Sequence, residues 1–564
     1  MEQVIRDFVA WGKLRRHDDA PQVTARHPLA DHMADVAACL LELARCQAVQ
    51  RSLERSAGRP LSEIDLARLA ALAFLHDIGK ACSGFQGRCW SAQDPLAALW
   101  PRACGHGPEG WQLLTRHPSI TNADAILAGL PLEAMANWGE EAVFVLLQAS
   151  ISHHGRPVGD SDHIASAAWR AVRQGNRLLY DPAATVAELG RRLQAQFPEA
   201  FTADVHPPLP DRPAFVHLFG GLVQLADWLG SDTRPGFFPF SEPGEDRTST
   251  AAERARHAVR AIGLDVSPWL EELRRAPPSF TQAFDVPSPR PMQEAAAAED
   301  LGPVVVLEAE TGSGKTEAAL WRFLQLFRRG QVDSLYFALP TRVAATQLHE
   351  RIRHFVARVW DQATPAGSPL VIRALPGYET ADGEEKIALP HYQVLWADRP
   401  DDTEAERRWA AESPKRFLAA TIAVGTIDQA LLGALKVRHA HLRHALLARS
   451  LLVVDEVHAS DAYMGVLLGQ LLQSHVDCGG QALLLSATLG AAARTRYLDA
   501  GQPRPHPLPT LDQAIATPYP ALSTRLQGGA MRLDAVAGNP RHREVGWQTL
   551  PLIEQPARIA QLAL

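Results

Sequence analysis

Apolar residues recur at intervals of three and four through much of the first 245 positions, as in HMADVAACLLELARC and LSEIDLARLAALAFLHDIGK. That spacing lines one face of a helix and predicts an all-helical unit over residues 1–245. The pattern then breaks. FFPFSEPGEDRTST, one charged amphipathic stretch (AAERARHAVRAIG) and the proline-bearing PPSFTQAFDVPSPRP follow. Prolines fix the backbone and remove donors, so residues 246–285 predict a linker carrying one helix. From 286 to 490 the runs PVVVL, SLLVV and ALLLS read as buried strands between helices, an α/β unit. Residues 491–564, with GQPRPHPLPTLDQAIATPYPALS, predict the start of a further unit or irregular chain.

A chain of 564 residues exceeds one core, so three or four domains are expected. With 46% hydrophobic and 21% charged residues it has ordinary globular composition. A net charge of -7 gives no global basic signature, so nucleic-acid contact would rest on local surfaces. Six scattered cysteines (Cys39, Cys46, Cys82, Cys89, Cys104, Cys478) do not make a disulfide framework, and the seven-residue gaps in two pairs do not match zinc-ribbon spacing. A reducing, cytoplasmic setting is expected. MEQVIRDFVAWGKLRRHDD lacks a signal-peptide core, and no apolar run of about 18 residues predicts a membrane span.

The candidate chemistry of the first half centres on FLHDIGK, where His76 and Asp77 set an imidazole beside a carboxylate. A carboxylate has two oxygens and can bridge two metal ions, the geometry of in-line attack on phosphate esters. His32, His106, the doublet His153 and His154, and Asp227 supply further ligand types in or beside predicted helices. Three histidine sites lie next to glycines at helix ends, where side chains can converge. The full set suffices for two sites, and its imidazole content suits Mn, Fe, Co, Ni or Zn better than Mg.

The second half carries a phosphate loop. After the strand Val304–Leu307 comes AETGSGKT: Ala309, Glu310, Thr311, Gly312, Ser313, Gly314, Lys315 and Thr316. Ala309 replaces the first glycine of GxxxxGK[ST]. The glycines let backbone N–H groups turn to phosphate, Lys315 reaches the outer phosphates of ATP, and Thr316 can ligate Mg2+. A second apolar strand ends in Asp455, for magnesium, and Glu456, to polarise the attacking water.

Taken in order, H, HD, H, HH and D resemble the HD superfamily of metal-dependent phosphohydrolases. The framing HPLADHMADVA, FLHDIGK, SHHGRP and LADWLGSD resembles its CRISPR-associated nuclease branch. On that likeness His32, His76, Asp77 and Asp227 would hold one ion, and Asp77, His106, His153 and His154 the other. His27 is the rival first ligand, but it precedes Pro28, whereas His32 lies within the helical pattern. Lys80 would steady a scissile phosphate or be a solvated lysine after a helix.

GSGKT, DEVH and SAT (Ser486, Ala487, Thr488) resemble superfamily 2 helicases and their first RecA-like domain. That likeness makes Gln293 the adenine reader. It makes ALPTRVAATQ (Pro340, Thr341, Arg342, Gln347) and VGTIDQALL (Gly425, Thr426, Asp428) the loops that grip DNA phosphates. KVRHAHLRHALLAR, residues 436–449, is either a DNA-facing helix or a solvated face, with the solvated face preferred.

Jointly, the two halves resemble the CRISPR-associated helicase-nuclease family of type I interference. The resemblance implies antiviral degradation of single-stranded DNA, ATP-driven translocation, and recruitment by an RNA-guided surveillance complex. The departure lies at the end. Only 76 residues follow Thr488, without a QxxGRxGR-like stretch, whereas a second RecA-like domain needs about 150. A truncated, split or frameshifted product is expected, with helicase turnover impaired by missing arginines worth roughly 10³ to 10⁵ in rate. The alternatives are an HD phosphohydrolase of small nucleotides with an ATPase sensor, and a non-catalytic DNA- and ATP-binding remnant.

Overall fold

The computed structural model describes residues 8–563, apart from 18–19, 92, 160–165, 203–205, 234–235, 243–244, 246, 361–367, 370, 376–419, 460, 503–504, 527–528, 538–548 and 552. Helices form where the apolar spacing requires them. Leu29–Arg45, Glu63–Phe74, Glu140–Ile151 and Pro213–Gly230 bury their apolar faces in one core. A capping box starts the second of these: Ser62 accepts from the Asp65 N–H while the Asp65 carboxylate accepts from the Ser62 N–H. Pro213–Gly230 is buried without interruption from Leu218 onward and packs against Leu29–Arg45 and Glu140–Ile151. Among the described residues no helix is long and apolar enough to cross a membrane.

The first unit is helical but not all-helical. β1 (Trp11–His17) pairs antiparallel with β2 (Ala20–Pro28), and β3 (Val172–Gln174) with β4 (Arg177–Tyr180). β3 and β4 are too short for a period of two to register. β1 matters for the site, because a Cβ on Gly12 would lie 2.9 Å from the His32 Cβ.

Residues 246–285 hold three helices, Arg247–Ala261, Ser267–Arg275 and Phe280–Phe284, instead of a linker with one. The first lies along Leu29–Arg45 and buries Ala251, Ala255, Ala258 and Val259 in the same core. Arg247 forks onto Asp35, Nε to Oδ1 at 2.8 Å and Nη2 to Oδ2 at 2.9 Å. Four small or β-branched residues on one stripe mark a packing face that the charged residues around them concealed.

Among the described residues, the second half builds an eight-stranded sheet from β5 (Val304–Glu308), β6 (Ser334–Leu339), β7 (Val371–Ala374), β8 (Ile422–Thr426), β9 (Ser450–Val454), β10 (Gln481–Ser486), β11 (Ala521–Arg525) and β12 (Met531–Ala535). The order is β12-β11-β5-β10-β9-β6-β8-β7. β5 to β10 run parallel, so the loops after β5, β6, β8, β9 and β10 share one edge, where α/β sheets bind ligands. β11 and β12 extend the sheet antiparallel beyond β5, with Leu522 opposite Leu307. Residues 521–535 thus complete this sheet rather than begin another unit.

Alternate residues of the strands face opposite sides. Val305, Leu307, Phe337, Val424 and Leu485 pack against the helices Lys315–Arg328 and Arg342–Val359. Val306, Tyr336, Ala423, Leu452 and Leu484 join the core of the helical half. The seam between the halves is therefore apolar and continuous.

Candidate metal centre and nucleotide site

Five segments deliver the seven predicted ligands. His32 stands on the first turn of Leu29–Arg45, and Asp227 on the last turn of Pro213–Gly230. His76 and Asp77 occupy the tight turn Leu75–Ala81. His106 precedes the helix Gly107–Leu114, and His153 and His154 form a turn after Glu140–Ile151. Two glycines allow the approach: a Cβ on Gly79 would sit 1.8 Å from the His106 carbonyl oxygen, and one on Gly110 2.9 Å from the Gly79 nitrogen.

Asp77 is the hub. Its Oδ2 faces His32 Nε2 at 3.0 Å and His76 Nε2 at 3.2 Å; its Oδ1 faces His106 Nε2 at 3.1 Å and His153 Nε2 at 3.6 Å. Asp227 Oδ1 lies 3.7 Å from His32 Nε2 and 3.6 Å from His76 Nε2. His154 Nε2 meets His106 Nε2 at 2.8 Å. The ligand atoms of His32, His76 and Asp77 cluster, as do those of His106, His153 and His154.

This donor set fits two cations. His76 Nδ1 and His153 Nδ1 donate to the carbonyls of Ala73 and Ser150 at 2.9 and 3.0 Å, so in the neutral ring each Nε2 presents its lone pair toward Asp77. His76 Nε2 and Asp77 Oδ1 are buried and make no hydrogen bond. Two imidazole nitrogens meeting at 2.8 Å are likewise satisfied by a shared positive charge.

Electrostatics point the same way. Burial depresses the His76 imidazole, but the Asp77 and Asp227 carboxylates outweigh it and lift it to about 9. For His153 burial prevails and lowers it to about 4. Burial raises the Asp77 carboxyl, yet Lys80 and the surrounding imidazoles hold it well below the usual range. The pocket stabilises charge pairs of a kind that a bound cation would strengthen.

His27 stands behind this layer. Its Nδ1 accepts from the Ser241 N–H at 3.2 Å and its Nε2 lies 3.4 Å from Asp35 Oδ2, so His32 is the residue that faces Asp77. Lys80 is buried, not solvated, with Nζ 2.8 Å from Asp77 Oδ2 and 3.3 Å from the Gly12 carbonyl. Sequence reading missed Lys13, which is buried on β1 and donates to the Gly230 carbonyl at 2.7 Å, below Asp227. Burial lowers it to about 8. Only the hairpin places it there, and no motif marks it.

At the sheet edge, β5 enters the phosphate loop through Glu308 and Ala309. Gly312 and Gly314 take φ of 78° and 100°, a region glycine adopts without strain. Lys315 Nζ donates to the Ala309 carbonyl at 2.8 Å. Gln293 is engaged at both ends of its amide: Oε1 accepts from the Arg290 N–H at 2.8 Å, and Nε2 donates to the Gly314 carbonyl at 3.2 Å. It braces the loop. Glu310, Thr311, Ser313 and Thr316 complete the turn and the first helical residues.

Asp455 follows β9, and burial lifts its carboxyl. Glu456 has a φ of 52°, a conformation costing a non-glycine residue on the order of 1 kcal/mol or more. His458, which sequence reading left without a role, bridges motifs: its Nδ1 lies 3.3 Å from Glu456 Oε2 and 3.0 Å from Ser486 Oγ. Its place in DEVH was the available signal. Ser486 is buried at the end of β10, and Thr488 is exposed.

Pro340, Thr341, Arg342 and Gln347 are exposed after β6, with Thr341 capping the next helix. Gly425 and Thr426 are buried instead; a Cβ on Gly425 would meet Tyr336 Oη at 2.5 Å. Residues 436–438 are exposed, as a solvated face would be, but from His439 onward the stretch departs from both readings. The helix Ala440–Ala448 packs on Pro213–Gly230, burying Arg443 and His444, because a bare Gly221 lets the His441 carbonyl approach.

Comparisons agree with both halves. Residues 11–235 match the family model "Cas3, HD domain", and residues 290–495 match "DEAD/DEAH box helicase". The chain is 31% identical over 510 residues to the CRISPR-associated endonuclease/helicase Cas3 of Thermus thermophilus, covering 84% of this chain and 50% of that protein. To the protein of the same description from Escherichia coli it is 30% identical over 328 residues, covering 57% and 35%. The chain spans about half the length of the curated relatives it matches. A crystal structure described as a CRISPR-associated protein shares the fold at a TM-score of 0.72 and 24% identity, over 98% of this chain and 60% of that one. A chain in a CRISPR RNA-guided surveillance complex, pre-nicking, does so at 0.59 and 22% identity, over 94% and 55%. The fold, the two matched segments and the curated relatives together identify residues 11–235 as a Cas3 HD domain and residues 290–495 as a DEAD/DEAH box helicase domain.

Proposed function

We propose that this chain is a CRISPR interference nuclease-helicase in which the HD half cleaves single-stranded DNA and the α/β half binds ATP and Mg2+ to drive movement along it. The observation that carries the reading is Asp77, whose two carboxylate oxygens face two separate imidazole groups. His32, His76, Asp77 and Asp227 would hold one divalent transition-metal ion, and Asp77, His106, His153 and His154 a second. Two such ions supply Lewis acidity and lower the pKa of a water for in-line attack on a phosphodiester. Lys80 balances the Asp77 charge and offers an ammonium to the phosphate. In the motor half Lys315 and the loop amides would hold the outer phosphates of ATP, Asp455 would hold Mg2+, and Glu456, with His458 beside it, would polarise the attacking water. Exposed Thr341, Arg342 and Gln347 hold DNA phosphates without reading sequence. The similarity to a chain in a surveillance complex supports recruitment by an RNA-guided type I complex, and six free thiols accord with the cytoplasm.

The test is incubation of the chain with Mn2+ or Ni2+ and circular single-stranded DNA. Wild type nicks the circles, and Asp77→Ala does not. Intact circles alongside rapid cyclic-dinucleotide cleavage would assign the centre to small nucleotides.

A further inference from the structure

Contacts from the helicase half reach both parts of the metal centre. Thr426, at the end of β8, opens the helix Ile427–Leu431, and the chain continues to residue 439 along the seam. There Arg438 Nε donates to the His154 carbonyl at 3.2 Å, and the His439 N–H donates to the Gly155 carbonyl at 3.0 Å. The His439 ring fills the space beside Gly155, where a Cβ would lie 2.5 Å from Nδ1. Gln224 Nε2 donates to that same Nδ1. Gln224 precedes Asp227 by three residues on Pro213–Gly230, and the Trp228 ring centroid lies 6.3 Å from that of His439. One residue thus touches the turn that presents His153 and His154 and the helix that presents Asp227.

From this geometry we infer that Arg438 and His439 are positioning residues of the nuclease centre, a clasp from the helicase half that sets His154 against His106 and Asp227 against His76. The inference rests on the proposed dinuclear reading. His439 has a φ of 65°, so its backbone is held in a conformation that only a dense set of contacts maintains. The clasp grips carbonyls and an amide rather than the ligand nitrogens. Groups that orient ligands in this way typically change metal affinity by about 10–100-fold when removed.

The experiment titrates the full chain with Co2+, following the d–d absorption band and the dissociation constants. His439→Ala and the exposed Arg438→Ala are expected to weaken Co2+ binding about tenfold and to change the band. His439→Asn places an acceptor where Nδ1 stood and tolerates the left-handed backbone, so it should restore both. Binding of a fluorescent ATP analogue and the far-UV spectrum stay at wild-type values, which separates loss of the clasp from loss of the fold. Wild-type affinity and band shape in both alanine variants would overturn the inference while leaving the dinuclear reading intact. Failure of the wild-type chain to bind Co2+ would remove the centre and the clasp together.

Discussion

Arg247 offers a sharp test of how the first unit is built, because it comes from a stretch whose sequence reads as a connector. Its guanidinium donates twice to Asp35, once to the Glu245 carboxylate at 2.9 Å and once to the Pro239 carbonyl at 2.8 Å, and both Arg247 and Asp35 are 0% exposed. Arg247→Met keeps the volume of the stem but strands the Asp35 carboxylate in the core. Removing one partner of a buried pair costs about 3–5 kcal/mol. With Nδ1 accepting from the Ser241 N–H, His27 carries its hydrogen on Nε2, 3.4 Å from Asp35 Oδ2, and this N–H moderates the loss, so the lower end, about 3 kcal/mol, is expected. For a unit of this size that corresponds to a fall in Tm of roughly 6–12 °C. Urea and thermal unfolding, read by near-UV circular dichroism of the buried Trp11, Trp138 and Trp169, measure it. Adding Asp35→Asn should recover part of the loss, since the stranded charge goes. A single-variant loss below about 1 kcal/mol would refute the reasoning and return the helix to the status of a connector.

Three further outcomes follow from the same geometry. Lys315→Ala should abolish binding of a fluorescent ATP analogue while leaving metal-dependent nicking of single-stranded circles unchanged, since Lys315 belongs to the phosphate loop and not to the Asp77 centre. Gly425→Ala would place a Cβ 2.5 Å from Tyr336 Oη and 2.7 Å from the Ala374 carbonyl, so a loss of about 1–3 kcal/mol is expected in urea unfolding. Tyr336→Phe in the same chain should relieve part of it by removing the hydroxyl. Finally, metal uptake should release a proton. His76, lifted to about 9, is protonated at pH 7 to 8 and must be neutral to ligate, so apparent affinity rises as pH rises toward 9. Calorimetry in buffers of different ionisation enthalpy counts the proton; none released would contradict the imidazolium at His76.

Local chemistry was legible wherever a motif is contiguous. HDIGK, GSGKT, DEVH and SAT carry ligand types, glycines and strand-end carboxylates within a few residues, and each sits in the element its spacing predicts. The convergence of His32, His106, the doublet and Asp227 around Asp77 was anticipated only through a family resemblance, since spacing along the chain does not state which helix ends meet. Other features had no local signature. Lys13 reaches the site by a hairpin, and the Arg247 helix reads as charged on composition although its alanine stripe is the packing face. The residues 436–449 look solvent-facing because basic side chains dominate, yet Gly220 and Gly221 on another helix open a groove for them.

By itself the amino-acid sequence determined which groups are available and which segments become helices or strands, because periodicity, capping and loop chemistry act over a few residues. Tertiary packing alone decided that one carboxylate faces two imidazole sets, that β11 and β12 extend the first sheet, and that Arg438 reaches the turn carrying His154. Those outcomes depend on contacts between residues tens to hundreds of positions apart, where burial and steric fit choose among pairings that the local pattern leaves equivalent.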